Sequence, residues 1–195
     1  MALDHEDRAI IYGLINMPGR PARVTESEVL QYFKVDDGKK LGLDLVRDAI
    51  LRRDSDDLNV SMVVCASFGY HHELLPVFLQ IALQDWHRDH ENVAFQLGIF
   101  GDPRAVSVLL ELGRWVPGYL EWDDNRALAS KAIHALARIP GEESEEALRA
   151  LLDSDDDVVR RHAERQLEKH KRRWKDSDVS SSSNPRCLDL DRYHG

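Results

Sequence analysis

A chain of 195 residues, 43% hydrophobic and 31% charged, can bury about 70% of its unfolded surface, so one domain needs neither disulfides nor a structural metal. A formal net charge of −9 argues against nucleic acid as a partner, because binding it requires lysines and arginines to neutralise phosphates. The acidic start Asp4-His5-Glu6-Asp7 offers no apolar leader, and runs such as Met62–Ala66 fall far short of the ~20 apolar residues of a membrane span. A cytoplasmic protein away from membranes is therefore expected.

Apolar residues recur at helical spacing and hardly anywhere alternate as a strand requires. The expected helices, in chain order, are 3–16, 25–34, 40–53, 56–69, 72–84, 89–100, 103–114, 124–139, 142–152 and 155–171. Thr25-Glu-Ser-Glu28 reads as a capping box and Ser154-Asp-Asp-Asp157 as a close variant. Asp102-Pro103 places a cap ahead of a proline at the first helical position. In 124–139 the residues Leu128, Ala129, Ala132, Ile133, Ala135, Leu136 and Ile139 form one broad stripe. Cys65, inside an apolar helical pattern, is expected to be a buried inert thiol, with no disulfide to Cys187. Beyond Trp174 the Ser- and Asp-rich run lacks periodicity and reads as a flexible tail that Leu188, Leu190 and Tyr193 could dock.

Internal repeats organise the middle of the chain. Asp57–Gly69 superimposes on Asp89–Gly101 at a shift of 32, with Asp, Phe and Gly coinciding. Leu97 then corresponds to Leu136 at a shift of 39, and Leu136 to Leu167 at a shift of 31. Two-helix units at such periods are the pattern of an α-solenoid.

Gly101-Asp-Pro-Arg-Ala-Val106 and Asp156-Asp-Val-Val-Arg-Arg-His-Ala163 resemble bacterial HEAT-like repeats of the PBS-lyase type, over roughly residues 40–170. That resemblance implies an all-α solenoid of about four helical pairs. Its expected parts are a helical cap at 1–39, the repeats at 40–172 and a tail at 173–195. Trp86-His87-Arg-Asp-His90-Glu91-Asn92 and Tyr119-Leu-Glu-Trp122-Asp123-Asp124 further resemble small acidic HEAT proteins, in which an Asp usually follows the His-Glu pair where Asn92 stands here. Some proteins of that kind are immunity proteins that neutralise a toxin of the same strain.

Candidate functional residues divide by chemistry. His87, His90 and Glu91 stand at i, i+3 and i+4, a spacing at which imidazoles and a carboxylate can share a metal. HEAT-like hydroxylases carry a di-iron centre on repeated His-Glu pairs. Here only His90-Glu91 forms such a pair, so neither a metal nor a cofactor is expected. Asp123 and Asp124 read either as caps of the following helix or as an acidic contact for a basic partner, and Lys131 as a groove residue or a solvated one. Trp86, Trp115, Tyr119 and Trp122 lie at helix ends or in the 113–123 connector, where aromatic residues anchor protein interfaces or plug gaps between repeats. No nucleophile, P-loop or HExxH motif is present, so a catalytic role is not expected.

The resulting expectation is non-enzymatic recognition of another protein through the concave repeat surface and the 113–123 connector, by a chain monomeric on its own. The favoured partner is a toxin with a basic surface, contacted by Trp86, His87, His90, Glu91, Trp115, Tyr119, Trp122, Asp123, Asp124 and Lys131. The rivals are a scaffold or adaptor, and a metal-dependent or DNA-acting HEAT-like enzyme.

Overall fold

A computed structural model describes residues 2–19 and 21–175, and the expected tail falls almost wholly outside them. Among the described residues ten α-helices follow one another: α1 His5–Tyr12, α2 Glu26–Phe33, α3 Gly38–Arg52, α4 Ser55–Phe68, α5 Leu74–Ile81, α6 His90–Phe100, α7 Val106–Leu112, α8 Ala127–Leu136, α9 Glu142–Ala150 and α10 Asp157–Lys175. Two short 3-10 turns, Pro103–Ala105 and Gly118–Leu120, flank α7. The fold is the expected α-solenoid.

From α3 onward the helices pair as α3–α4, α5–α6, α7–α8 and α9–α10. The second members of the pairs, α4, α6, α8 and α10, form one layer whose register is fixed by side-chain bonds between repeats. Asn59 donates to Asp89 (2.9 Å), and the Ser130 hydroxyl lies 3.4 Å from His162 Nδ1. Further along, Gln166 meets His134 (2.8 Å) and His170 Nε2 donates to the Ile139 carbonyl (3.0 Å). The partners of α8 and α10 rise together at an offset of 31 to 32 residues, so the two helices run parallel. Where α6 and α8 approach, a Cβ on Gly98 would lie 2.6 Å from both Cα and Cβ of Ala135. Only glycine permits that contact.

One core runs through the repeats from Leu43 to Leu167, and fully buried Phe78, Leu97, Leu109, Leu136 and Leu148 lie along it. A second, smaller core joins Leu3, Ile11 and Val29 to Leu41, Leu45, Val60 and Val64, so α1 and α2 cover the outer face of the α3–α4 pair. A buried charge cluster reinforces this cover. Asp57, 1% exposed, accepts from the Leu3 amide (3.0 Å) and Arg52 (2.5 Å) and pairs with Arg8 (2.7 Å).

The helix ends correct several expected boundaries. Asp4 and Asp7 close a capping box, so α1 begins at His5 rather than at 3. The Thr25–Glu28 box is present. Ser154–Asp157 is not a box: Asp156 Oδ1 accepts from Val158 (2.8 Å) and Val159 (3.3 Å), while Ser154 accepts from the Asp156 amide. The start of α10 accordingly moves to Asp157. Its end extends to Lys175, so the basic run after Lys169 is helical. The Cys65 thiol is free and buried, and burial pushes its pKa up to about 12. Cys187, Leu188, Leu190 and Tyr193 lie outside the described residues.

Candidate functional site

The α5–α6 connector (82–89) and the α7–α8 connector (113–126) lie on the same edge of the stack, because each turns the chain from the first helix of a pair to the second. A helix exposes unpaired amides at its N-terminus, and an aspartate there satisfies them at α4, α8 and α10, whereas Asp89 before α6 makes no cap bond and accepts from Asn59. Asp54 accepts from Asp57, Asp123 from Ala127 (2.6 Å) and Asn125 (3.0 Å), and Asp156 from two amides of α10. Repetition of that local need gives the molecule an acidic edge.

A column of rings joins the two connectors. Trp86 packs edge-on to His87 (5.0 Å), and His87 stacks on His90 (4.1 Å). His90 then meets Trp115 edge-on (4.9 Å) and Tyr119 face to face (5.6 Å). His87 and His90 are 1% and 0% exposed, so neither ring offers a contact surface. Their role is internal: the stack needs flat polar rings whose nitrogens can satisfy turn backbone groups. His87 Nε2 donates to the Ile81 carbonyl (2.9 Å), and its Nδ1 accepts from the Asp89 amide (3.2 Å). His90 Nε2 donates to the Gln84 carbonyl (2.8 Å), and its Nδ1 accepts from the Tyr119 hydroxyl (2.8 Å). That hydroxyl also lies 3.1 Å from the Arg88 carbonyl and has one proton for two acceptors.

Burial lowers the pKa of His90 to about 4, with His87 adding to the effect and the Gln84 bond opposing it. Burial likewise lowers His87. Tyr119 is pushed up to about 12, first by burial and then by the charges of Glu91 and Asp89. The column is therefore neutral at neutral pH. With both nitrogens of each histidine engaged, the His87, His90, Glu91 spacing serves packing. The ligand-type trio that comes within 4.8 Å among the described residues is His71, His72 and Glu73, in the α4–α5 connector. There Glu73 is held by Arg47 at 2.7 Å.

Outside the column the rings border open space. Trp86, Trp115 and Tyr119, each half-buried, line a cleft of about 660 Å³ with Ser55, Asp56, Asp85, Arg88, Pro117 and Gly118. Arg88 lies over the Tyr119 ring at 5.9 Å. A neighbouring cleft of about 400 Å³ begins on the other side of Trp115 and carries Asp153, Asp155 and Asp156. Trp122, 77% exposed, lines neither cleft, and its indole N–H donates to the carbonyl of Tyr119 (2.7 Å), which does line the first.

The remaining expected residues divide. Asp123 is 8% exposed and caps α8, so it is not an outward acidic contact; Asp124 is exposed. Glu91 is half-buried beside the column. Lys131 lies on a different surface, over the Phe95 ring at 5.5 Å. Asp56 and Asp85 went unnoticed in the sequence. Asp56 lies in the first turn of α4 and Asp85 in the α5–α6 connector, and only the fold brings them to one cleft.

Residues 75–168, from α5 well into α10, match the family described as HEAT repeats. Over that span the chain is built of HEAT-like repeats. No curated protein and no solved structure matches it. Among the described residues of this HEAT-like array, no helix is long and apolar enough to cross a membrane. HEAT repeats commonly serve as protein-interaction modules, and a recognition role fits the architecture.

Proposed function

We propose that the protein is a stoichiometric, non-enzymatic recognition module whose contact surface is the acidic, aromatic edge around Trp86, Trp115, Tyr119 and Trp122. The cleft between Trp86 and Trp115 carries this reading. Two indoles and a phenol border it, and Asp56 and Asp85 sit at its margin. Aromatic faces attract cations, and carboxylates beside them add charge complementarity, so the cleft suits a lysine or arginine side chain of a partner. The ring column beneath holds the aromatic wall in place before binding, which reduces the entropy lost on association.

Within this class the favoured identity is an immunity protein that covers a basic toxin surface, and the nearest rival is a scaffold or adaptor. Affinity separates them: immunity needs a Kd near or below ~1 nM, whereas an adaptor works far more weakly.

The test is capture of partners from the source organism's lysate with the full-length protein, comparing wild type with Trp122→Ala/Asp85→Lys. Both positions are exposed, so the variant keeps its fold. The expected result is one stoichiometric partner with a basic surface that the variant loses by at least ~100-fold in affinity. A partner held equally by the variant would remove the cleft from the interface.

A further inference from the structure

The outward face of α6, α8 and α10 has the opposite character to the acidic edge. On α8 the positions turned away from the core include Lys131 and His134, spaced i and i+3, and Arg138 follows two residues past the helix end. On α10 the exposed residues Arg161, Arg165 and Lys169, at i, i+4 and i+8, form a stripe that continues this surface. His134 shows that the two stripes converge. After burial, the groups that lower its pKa are His162, Lys169, Arg138 and Arg165, every one a base. His162 is lowered by burial and then by Arg165 and Arg161. Among the described residues, Lys131, Arg165 and Lys169 have no carboxylate within salt-bridge distance.

Such a face is unexpected in a chain with 35 acidic and 26 basic residues. Helix dipoles do not account for it. They favour cations in the last turn, whereas Lys131, Arg161 and Arg165 lie in the first halves of their helices. The cations also border apolar surface. Phe95 and Ile99, one turn apart on α6, are 43% and 40% exposed, and Phe95 carries Lys131 on its face at 5.5 Å and Arg138 at 5.4 Å. Lys131, which has no carboxylate partner among the described residues, beside exposed apolar side chains and near Arg165 and Lys169 fits one kind of ligand, a segment that presents both carboxylates and apolar groups.

We infer that the outward face of α6, α8 and α10 is a second docking surface, which takes an acidic protein segment with apolar side chains spaced among its carboxylates. A peptide is favoured over nucleic acid because the Phe95 ring already carries Lys131 and Arg138, and the neighbouring Ile99 gives a base no ring to stack on. The surface is separate from the Trp86–Trp115 cleft and does not depend on the reading given to it.

The test uses the full-length protein and a fluorescent synthetic peptide of glutamates with leucines at helical spacing, followed by anisotropy. Wild type is expected to bind it, and to lose affinity steeply as salt rises towards about 0.3 M. Arg165→Glu/Lys169→Glu should weaken binding by at least ~10-fold. Phe95→Ala should weaken it by about 3-fold, and an all-glutamate peptide should bind wild type less tightly than the leucine-bearing one. Thermal melts that match wild type show that each variant is folded. Asp85→Lys, in the cleft, should bind the peptide as wild type does. Equal binding by the double variant, no binding by wild type, or tighter binding of a single-stranded DNA of equal charge would each overturn the inference.

Discussion

The acidic edge and the basic face belong to the same helices, yet they spend their polar groups differently. Along the edge, Asp123 and Asp156 are committed to backbone amides, and His87 and His90 to carbonyls and a tyrosine. What remains for a partner is the outer side of groups that already hold the fold. On the face, Arg165 and Lys169 project into water and hold nothing among the described residues. Substitution should therefore cost stability on the edge and only charge on the face.

The sharpest contrast is between two histidines. His90→Ala removes a buried ring, leaves the Gln84 carbonyl without its donor and opens the stack on Trp115, so unfolding free energy should fall by about 3 kcal/mol. His134→Ala, at an exposed position bonded to Gln166, should cost less than ~1 kcal/mol by the same urea titration. Similar losses would mean that the edge is no more committed than the face. Acid sharpens the comparison. His90 has a folded pKa of about 4, against ~6.5 for an unfolded histidine, so between those values the unfolded chain binds the extra proton. The stability that the neutral ring supplies is complete above ~6.5 and is lost as pH falls towards 4, by an amount on the order of 3 kcal/mol. His87, also lowered, acts in the same direction. His90→Gln keeps a donor but does not titrate, and its stability should fall less steeply over that window.

The fold was legible because the repeat pattern is a packing pattern. The shifts of 31 and 32 read from Leu136–Leu167 and Asp57–Asp89 reappear as the offset of the bonds between α8 and α10. Cap identity was less legible, since several aspartates stand side by side before α8 and α10 and only backbone direction decides which one bonds. His87 and His90 have ligand spacing, but the sequence does not show that both face inward, because that depends on where Tyr119 returns from the next repeat. The Arg161, Arg165, Lys169 stripe was visible at helical spacing. The exposure of Phe95 beside it depends on the α6–α8 contact, which the sequence does not show.

A smaller effect separates two neighbours on the edge. Asp123→Lys loses both bonds to the start of α8 and sets a cation against its dipole, so it should destabilise by about 2 kcal/mol. Asp124→Lys, exposed one residue away, should cost no more than ~0.5 kcal/mol. Binding measured with Asp123→Lys therefore mixes folding with recognition. For that reason it is a poor probe of the interface.

Trp122→Ala should have the smallest effect on stability of all, and that is its value. The ring is 77% exposed, and its one hydrogen bond, to the Tyr119 carbonyl, sits where water can replace it. Unfolding free energy should change by less than ~0.5 kcal/mol. A large aromatic side chain left in solvent beside an aromatic cleft has little to do for the folded monomer, whereas at an interface its truncation costs ~2 kcal/mol or more. Melts and partner titrations on this one variant pull those roles apart. A stable protein that no longer holds its partner would show that the edge uses residues beyond those it needs to fold. A destabilised one would make Trp122 part of the ring column, and would confine free surface to the basic face.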